Sequence, residues 1–189
     1  GKKKYVGYEL PGRTLGVVGL GAIGVYVANA AIALGMRVIG FDPTITVKSA
    51  WKMSAEVQEM PTVDELIKQS DFVTFHVPLL DSTKNLLDEK RIASMKSGAV
   101  VLNFARDGIV DDEAVLKALD SGKLGAYVCD FPAQNLKGHS KVITLPHLGA
   151  STVEAEENCA IMVADQLKDF LENGNIHNSV NFPEIRLAR

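Results

Sequence analysis

Four side chains with chemistry to offer follow apolar runs in this sequence. Asp42 follows Arg37–Phe41, Arg106 follows Ala99–Ala105, Asp130 follows Gly125–Cys129, and His147 comes just after Val142–Leu145. A carboxylate accepts hydroxyl protons, a guanidinium pairs with anions in a fixed fork, and an imidazole exchanges a proton near neutral pH. A glycine cluster precedes all four. The run Thr14–Val18 ends in Gly19-Leu20-Gly21-Ala22-Ile23-Gly24 and passes into the mostly apolar stretch Val25–Leu34. That order predicts a buried strand, a tight turn and a helix whose N-terminus faces the turn. Gly19 permits the turn, Gly21 lets the backbone approach a pyrophosphate, and Gly24 lets helix and strand pack closely. Unpaired N–H groups at the helix start, near Ala22 and Ile23, then hold the anion.

Gly-x-Gly-x-x-Gly alone is weak, and its surroundings carry the weight. Asp42 stands close to the spacing of an acid that accepts both hydroxyls of an adenosine ribose. Such a carboxylate repels a 2′-phosphate, and residues 43–47 contain no arginine, so NAD is favoured over NADP. Asp-Pro is also a common turn pair, and a turn or cap role for Asp42 stays open. Taken singly, Arg106 reads as a surface ion-pair residue and His147 as a loop histidine. Charged or titratable groups at four strand ends, however, are more than folding requires. His76 is placed within a strand, where a structural hydrogen bond suffices. His139 and His177 lie in polar loops, and Glu154, Glu156 and Glu157 read as helix-start charges.

The elements that must position these groups alternate. After the first strand and helix, Gly35 stops the helix and Arg37–Phe41 is the second strand. Residues 44–60 are less regular, with Trp51 and Met53 expected as packing residues. Thr62-Val63-Asp64-Glu65 has capping-box spacing and opens a helix through Ser70. Asp71–Pro78 is a strand closed by proline. Leu86–Met95 has helical periodicity, Ala99–Ala105 is a continuous apolar strand, and Asp111–Leu119 is a helix with acids in its first turn. Gly125–Cys129 and Val142–Leu145 are the last strands. Ser151-Thr152-Val153-Glu154 caps a long amphipathic helix to about Glu172. Unbroken apolar strands alternating with helices predict a parallel sheet covered on both faces. The expected fold is α/β, a doubly wound Rossmann-type domain over residues 1–189, with ligands beyond the carboxyl ends of the strands.

The totals agree with that class. The chain has 189 residues, 47% apolar and 23% charged, which suits one domain with a sizeable core. A net charge of −3 recommends neither nucleic acid nor an anionic membrane as partner, and Lys2-Lys3-Lys4 reads as a solvated chain end. Cys129 and Cys159, both in apolar stretches, form no disulfide framework or zinc spacing, and no run is long enough to span a membrane. A cytoplasmic protein is expected.

Several segments carry a family resemblance: Gly16–Gly24, Asp71–Pro78, Leu102-Asn103-Phe104-Ala105-Arg106, and Pro146-His147-Leu148-Gly149-Ala150-Ser151-Thr152. In collinear order across essentially the whole chain, they resemble the cofactor-binding domain of the D-2-hydroxyacid dehydrogenases. The run from Glu154 to Asn158 and Asn181-Phe182-Pro183 are similar to the phosphoglycerate-oxidising members, whose reaction opens serine biosynthesis. The resemblance implies NAD as cofactor, a small 2-hydroxy acid as substrate, and a homodimer formed through this domain. It implies that Ala22 and Ile23 meet the pyrophosphate, Asp42 the ribose, and Val77 and Pro78 the adenine side. Phe104, Ala105, Arg106 and the stretch from His147 through Gly149 and Ala150 would flank the nicotinamide. Arg106 would bind the substrate carboxylate, and His147 would take the hydroxyl proton as hydride leaves C2.

Two positions depart from the family pattern. Where the family has an aspartate for the nicotinamide carboxamide, this chain has Cys129, with Asp130 one step later; adjacent strand side chains face opposite ways. The family's catalytic glutamate aligns with Gln134, which can orient an imidazole but cannot stabilise imidazolium as a carboxylate does. A non-catalytic dinucleotide sensor of the same fold, like the related corepressors, is the alternative that this loss keeps open. The family also clamps substrate with a second domain that these residues do not build. The 189 residues are therefore expected to bind NAD(H) and to turn over 3-phosphoglycerate poorly.

Overall fold

A computed structural model describes residues 7–182 of the protein. Lys2-Lys3-Lys4 and Pro183 lie outside the described residues. The chain divides into two compact units, Gly1–Pro146 and His147–Arg189.

The first unit is a seven-stranded parallel sheet. Its strands are β1 (Thr14–Val18), β2 (Arg37–Phe41), β3 (Gln58–Glu59), β4 (Phe72–Phe75), β5 (Ala99–Asn103), β6 (Leu124–Cys129) and β7 (Val142–Thr144). Their spatial order is β3-β2-β1-β4-β5-β6-β7. The helices are α1 (Gly24–Ala33), α2 (Val47–Ala50), α3 (Val63–Gln69), α4 (Glu89–Ser94) and α5 (Asp112–Asp120). Strand order reverses at β1, which pairs with β2 on one side and β4 on the other. Every carboxyl end points to the same edge, and the crevice at such a reversal is where ligands of these sheets bind.

Alternation along β1 and β2 divides the core between two faces. Leu15, Val17 and Val38 pack with Val25, Ala28 and Ala31 of α1. Val18, Ile39, Phe75 and Val101 pack with Leu66 and Ile67 of α3, Ile92 of α4, and Val115 and Leu119 of α5. All five residues of β1 are buried, as expected of a strand covered on both sides. In β5 and β6, Val100, Leu102, Ala126 and Val128 are only half-buried, and Ile143 of β7 is exposed.

Side chains cap most of the helices. Thr62 accepts from the Glu65 N–H at 3.2 Å, as half of the predicted capping box, and Asp111 accepts from the Ala114 N–H at 3.1 Å. Asp88 accepts from the Arg91 N–H at 2.8 Å, so α4 begins at Glu89 rather than Leu86. Leu87 instead forms a parallel bridge with Val110. Other expectations also need correction. Gln58 and Glu59 form a sheet-edge strand that residues 44–60 did not announce. Trp51 is 86% exposed, because the single turn of α2 buries nothing against which an indole could pack; Met53 does pack against the α1-side core. His76 stands one residue beyond β4, although its N–H still reaches the Val18 carbonyl at 2.8 Å.

The second unit contains α6 (Val153–Asn173), capped by Thr152 and ended by Gly174 at φ 72°. Val163, Leu167 and Phe170 share one side of it and, with Ile176 and Phe182, line a groove of about 460 Å³. No residue of α6 is fully buried, and Cys159 is exposed; an apolar neighbourhood in sequence did not become a core. Asp169 gathers Asn173, Asn175 and His177 into one hydrogen-bonded cluster, which gives His177 a structural role.

Candidate cofactor site

The turn after β1 has the geometry its glycines predict. Gly19 has φ +94°, and a Cβ there would stand 2.7 Å from the His76 carbonyl oxygen. A Cβ on Gly24 would collide with the Gly19 carbonyl oxygen, so α1 can approach β1 only as glycine at that point. Gly21 is different: a Cβ there would meet nothing within 4 Å. Open space over that residue is what a ligand approaching the backbone needs. Helix α1 also differs from its neighbours. Helices α2 to α6 each receive a capping bond from a side chain, whereas Ile23 gives α1 none. Of its first-turn N–H groups, that of Val25 donates to the Gly21 carbonyl at 3.2 Å, and no side chain caps those before it, which suits an anion.

This turn forms one wall of a cavity of about 470 Å³. Gly19, Gly21, Asp42, Val77 and Pro78, all predicted as cofactor residues, line it together, with Thr44, Thr46, Ser49, Ser82, Thr83 and Leu86. Asp42 lies at the end of β2. Its Oδ2 accepts from the Leu20 N–H at 2.8 Å, and its Oδ1 accepts from the Thr44 N–H at 2.8 Å and the Thr44 hydroxyl at 3.1 Å. The turn role and the ligand-facing role predicted for Asp42 are thus compatible. The carboxylate shapes the loop and still faces the cavity. His76 completes one wall, its Nε2 3.0 Å from the Thr74 hydroxyl; burial pushes its pKa down to about 4, so the ring is neutral.

Arg106 follows β5 on the same edge of the sheet, at a corner made by Asn103. The buried Asn103 amide donates from Nδ2 to the Arg106 carbonyl at 3.0 Å and accepts at Oδ1 from the Ala105 N–H at 3.2 Å. Phe104 is half-buried and Ala105 buried, while the Arg106 guanidinium is exposed and lies 5.9 Å from the Phe131 ring centroid. A lone amide in an apolar strand is the one sequence signal for this role of Asn103. Beneath it, the Tyr127 hydroxyl donates to Asp112 Oδ1 at 3.3 Å. Burial, first, then Asp107 and Asp111 lift the Asp112 carboxyl to about 6, against the pull of the tyrosine hydroxyl.

Cys129 belongs to the core on the α5 side, where burial and Asp112 raise its thiol to about 11. The half-buried Asp130 stands at a bend one residue past β6, and its N–H donates to the Asn103 carbonyl at 3.1 Å. Cys129 is therefore not a group for a ligand at this edge. Gln134 opens a 3₁₀ turn (Gln134–Leu136), and its Oε1 accepts from Lys137 Nζ at 3.0 Å. His139 pairs with Asp120 at 3.2 Å, a structural contact.

His147 opens the second unit, in the left-handed region at φ 53°. Such a backbone at a non-glycine residue is uncommon and often marks a functional loop. Gly149 and Ala150 follow it, exposed, before Ser151 closes a turn onto the Leu148 carbonyl at 3.1 Å.

Residues 1–149 match the family model for the D-isomer specific 2-hydroxyacid dehydrogenase, NAD binding domain. The chain belongs to that family. The D-3-phosphoglycerate dehydrogenase of Methanocaldococcus jannaschii is 41% identical over 190 aligned positions, which take in 97% of this chain and 36% of that protein. The Homo sapiens enzyme of the same name is also 41% identical, over 95% of this chain and 34% of its own length. The chain thus spans about a third of the length of these curated relatives. Among solved structures, a glyoxylate reductase from Paecilomyes thermophila matches 93% of this chain and 54% of its own with a TM-score of 0.82 at 30% identity. The D-lactate dehydrogenase from Aquifex aeolicus, complexed with NAD and lactic acid, matches 89% of this chain and 56% of its own with a TM-score of 0.76 at 28% identity. NAD is the cofactor of the family domain, and the open Gly21, the uncapped α1 and the Asp42 carboxylate fit it.

Proposed function

We propose that this chain is the cofactor-binding part of an NAD-dependent dehydrogenase that oxidises C2 of a 2-hydroxy acid, with 3-phosphoglycerate the first substrate to test. The observation that carries this reading is the 41% identity to D-3-phosphoglycerate dehydrogenases across nearly all of the chain. The 189 residues would work as one cofactor-binding domain. NAD, when bound, supplies the hydride acceptor.

The chain's own residues do the rest. The Ala22–Gly24 amides bind the pyrophosphate, Asp42 meets the adenosine ribose, and Val77 and Pro78 meet the adenine side. The Phe104–Arg106 corner, Asp130, Gly149 and Ala150 border the nicotinamide. Arg106 holds the substrate carboxylate in a charge-assisted pair and draws electron density from the C2 oxygen. His147 takes the C2 hydroxyl proton and returns it in the reverse direction. Gln134 orients the imidazole through a neutral hydrogen bond. The decisive experiment assays the full-length protein with NAD and a panel of 2-hydroxy acids, beside its Arg106→Ala and His147→Ala variants. Turnover of 3-phosphoglycerate lost in both variants supports the assignment; undiminished turnover in either removes that residue from the mechanism.

The amide at Gln134 favours one second reading, a dinucleotide-sensing module without turnover. NAD binding with no activity on any 2-hydroxy acid in the full-length protein would select it. A homodimer and a cytoplasmic setting belong to the same proposal, to be checked by light scattering and by fractionation.

A further inference from the structure

The Asp42 carboxylate has about four acceptor positions, two on each oxygen. The protein itself fills three: the Leu20 N–H on Oδ2, and the Thr44 N–H and hydroxyl on Oδ1. One place on Oδ2 remains, which is too few for a ribose diol that must donate two hydrogen bonds. The Thr44 hydroxyl supplies the missing one. Because its proton is given to Oδ1, its own lone pairs are free to accept. Thr44 lines the same cavity as Asp42 and Gly21.

We propose that Thr44 is a specificity-determining residue, whose hydroxyl oxygen accepts one hydroxyl of the adenosine ribose while Asp42 Oδ2 accepts the other. This inference rests on the reading of the cavity as the NAD site. It divides the diol between two side chains two residues apart, instead of giving both hydroxyls to one carboxylate. The bond from Thr44 to Oδ1 also fixes the polarity of the pair. With its proton committed to the carboxylate, Thr44 can greet a donor and not an acceptor. A 2′-phosphate at neutral pH offers chiefly acceptors, so both Asp42 and Thr44 select against it.

The test is a double cycle on the 189-residue chain, with dissociation constants from calorimetry and no turnover required. The ligands are NAD, NAD bearing 2′-deoxyadenosine, and NAD bearing 3′-deoxyadenosine. The proteins are the unaltered chain, Thr44→Val, which keeps the shape and loses the hydroxyl, and Thr44→Ser, which restores it. Each missing ligand hydroxyl is expected to weaken binding to the unaltered chain by roughly 3- to 10-fold, as one hydrogen bond of ordinary worth predicts. Thr44→Val is expected to weaken NAD by the same order, and one of the deoxy ligands then loses nothing further on that variant. Thr44→Ser returns NAD binding to within about 2-fold of the original. If both deoxy ligands lose as much affinity on Thr44→Val as on the unaltered chain, Thr44 does not read the ribose. An unaltered chain that binds no NAD refutes the cofactor reading, and this inference with it.

Discussion

Asn103 shows how one amide can aim a reactive group without touching a ligand. Its two ends hold the Arg106 carbonyl and the Ala105 N–H, so the chain turns out of β5 at a fixed angle. Replacing it with alanine should cost about 2 kcal/mol, since two backbone groups lose partners at once; urea unfolding measures this. Below the corner, Asp112 sets a pH dependence. Its folded-state pKa of about 6 lies above the ordinary 3.8, so the folded protein holds the proton more tightly than the unfolded chain. Stability from this group is therefore present at low pH and is lost as pH rises from about 4 to about 6. Asp112→Asn removes that loss. The variant should gain about 1 kcal/mol at pH 7.5, a figure discounted from the raw shift because the carboxyl is only part-buried, and should gain nothing at pH 4. Equal effects at both pH values would exclude titration of Asp112 as the cause. At Gln134 the expectation concerns catalysis. In an active full-length protein, Gln134→Glu should move the basic limb of the reduction pH–rate profile upward, because a carboxylate supports the protonated imidazole that donates. An unmoved limb would detach Gln134 from the proton-transfer step.

Two glycines separate packing from binding at the scale of elements. Alanine at Gly16 would drive its methyl into Ser70 Oγ and to 2.5 Å from Leu66 Cδ2, wedging α3 away from β1. It should cost about 1–3 kcal/mol. Alanine at Gly21 meets no protein atom, so stability should hold within about 0.5 kcal/mol while NAD binding weakens. Thermal melts with and without NAD distinguish the two; a Gly21→Ala chain that binds NAD normally would show that the space over Gly21 is not used. These elements differ in how plainly the sequence declares them. Strands β1, β2, β4 and β5 are legible because burial selects continuous apolar residues, and the turn after β1 because only glycine fits the φ of Gly19 and the close contact at Gly24. Strand β3 is not, since two exposed residues paired at an edge leave no hydrophobic trace. Trp51 and Cys159 mislead for a related reason: side-chain polarity signals a tendency to be buried, while only the fold supplies something to be buried against. Asp42 and Arg106 were visible at strand ends, whereas Thr44 was not. Its part depends on where a carboxylate already spends its lone pairs, which no spacing rule encodes.

Among the described residues, the sheet of the first unit is held by pairings between strands near in sequence, with one exception. β1 meets β4, and the Thr14 N–H reaches Asp71 Oδ2 at 2.8 Å across 57 residues of chain. Closing so long a loop costs entropy before any contact repays it, so this pairing is slow to form. The cofactor cavity opens at that seam, between residues 18–21 and 76–78. The crevice therefore exists only after the least local step of folding is complete. NAD has nothing to grip on the way up and a finished cleft to hold on the way down. Saturating NAD should leave the refolding rate within about 2-fold and slow unfolding by the factor one plus the ratio of NAD concentration to dissociation constant, about 100-fold at one hundred times the dissociation constant. Stopped-flow refolding and unfolding with and without NAD measure both. The cofactor would then act on this fold as a brake on its loss rather than a template for its formation.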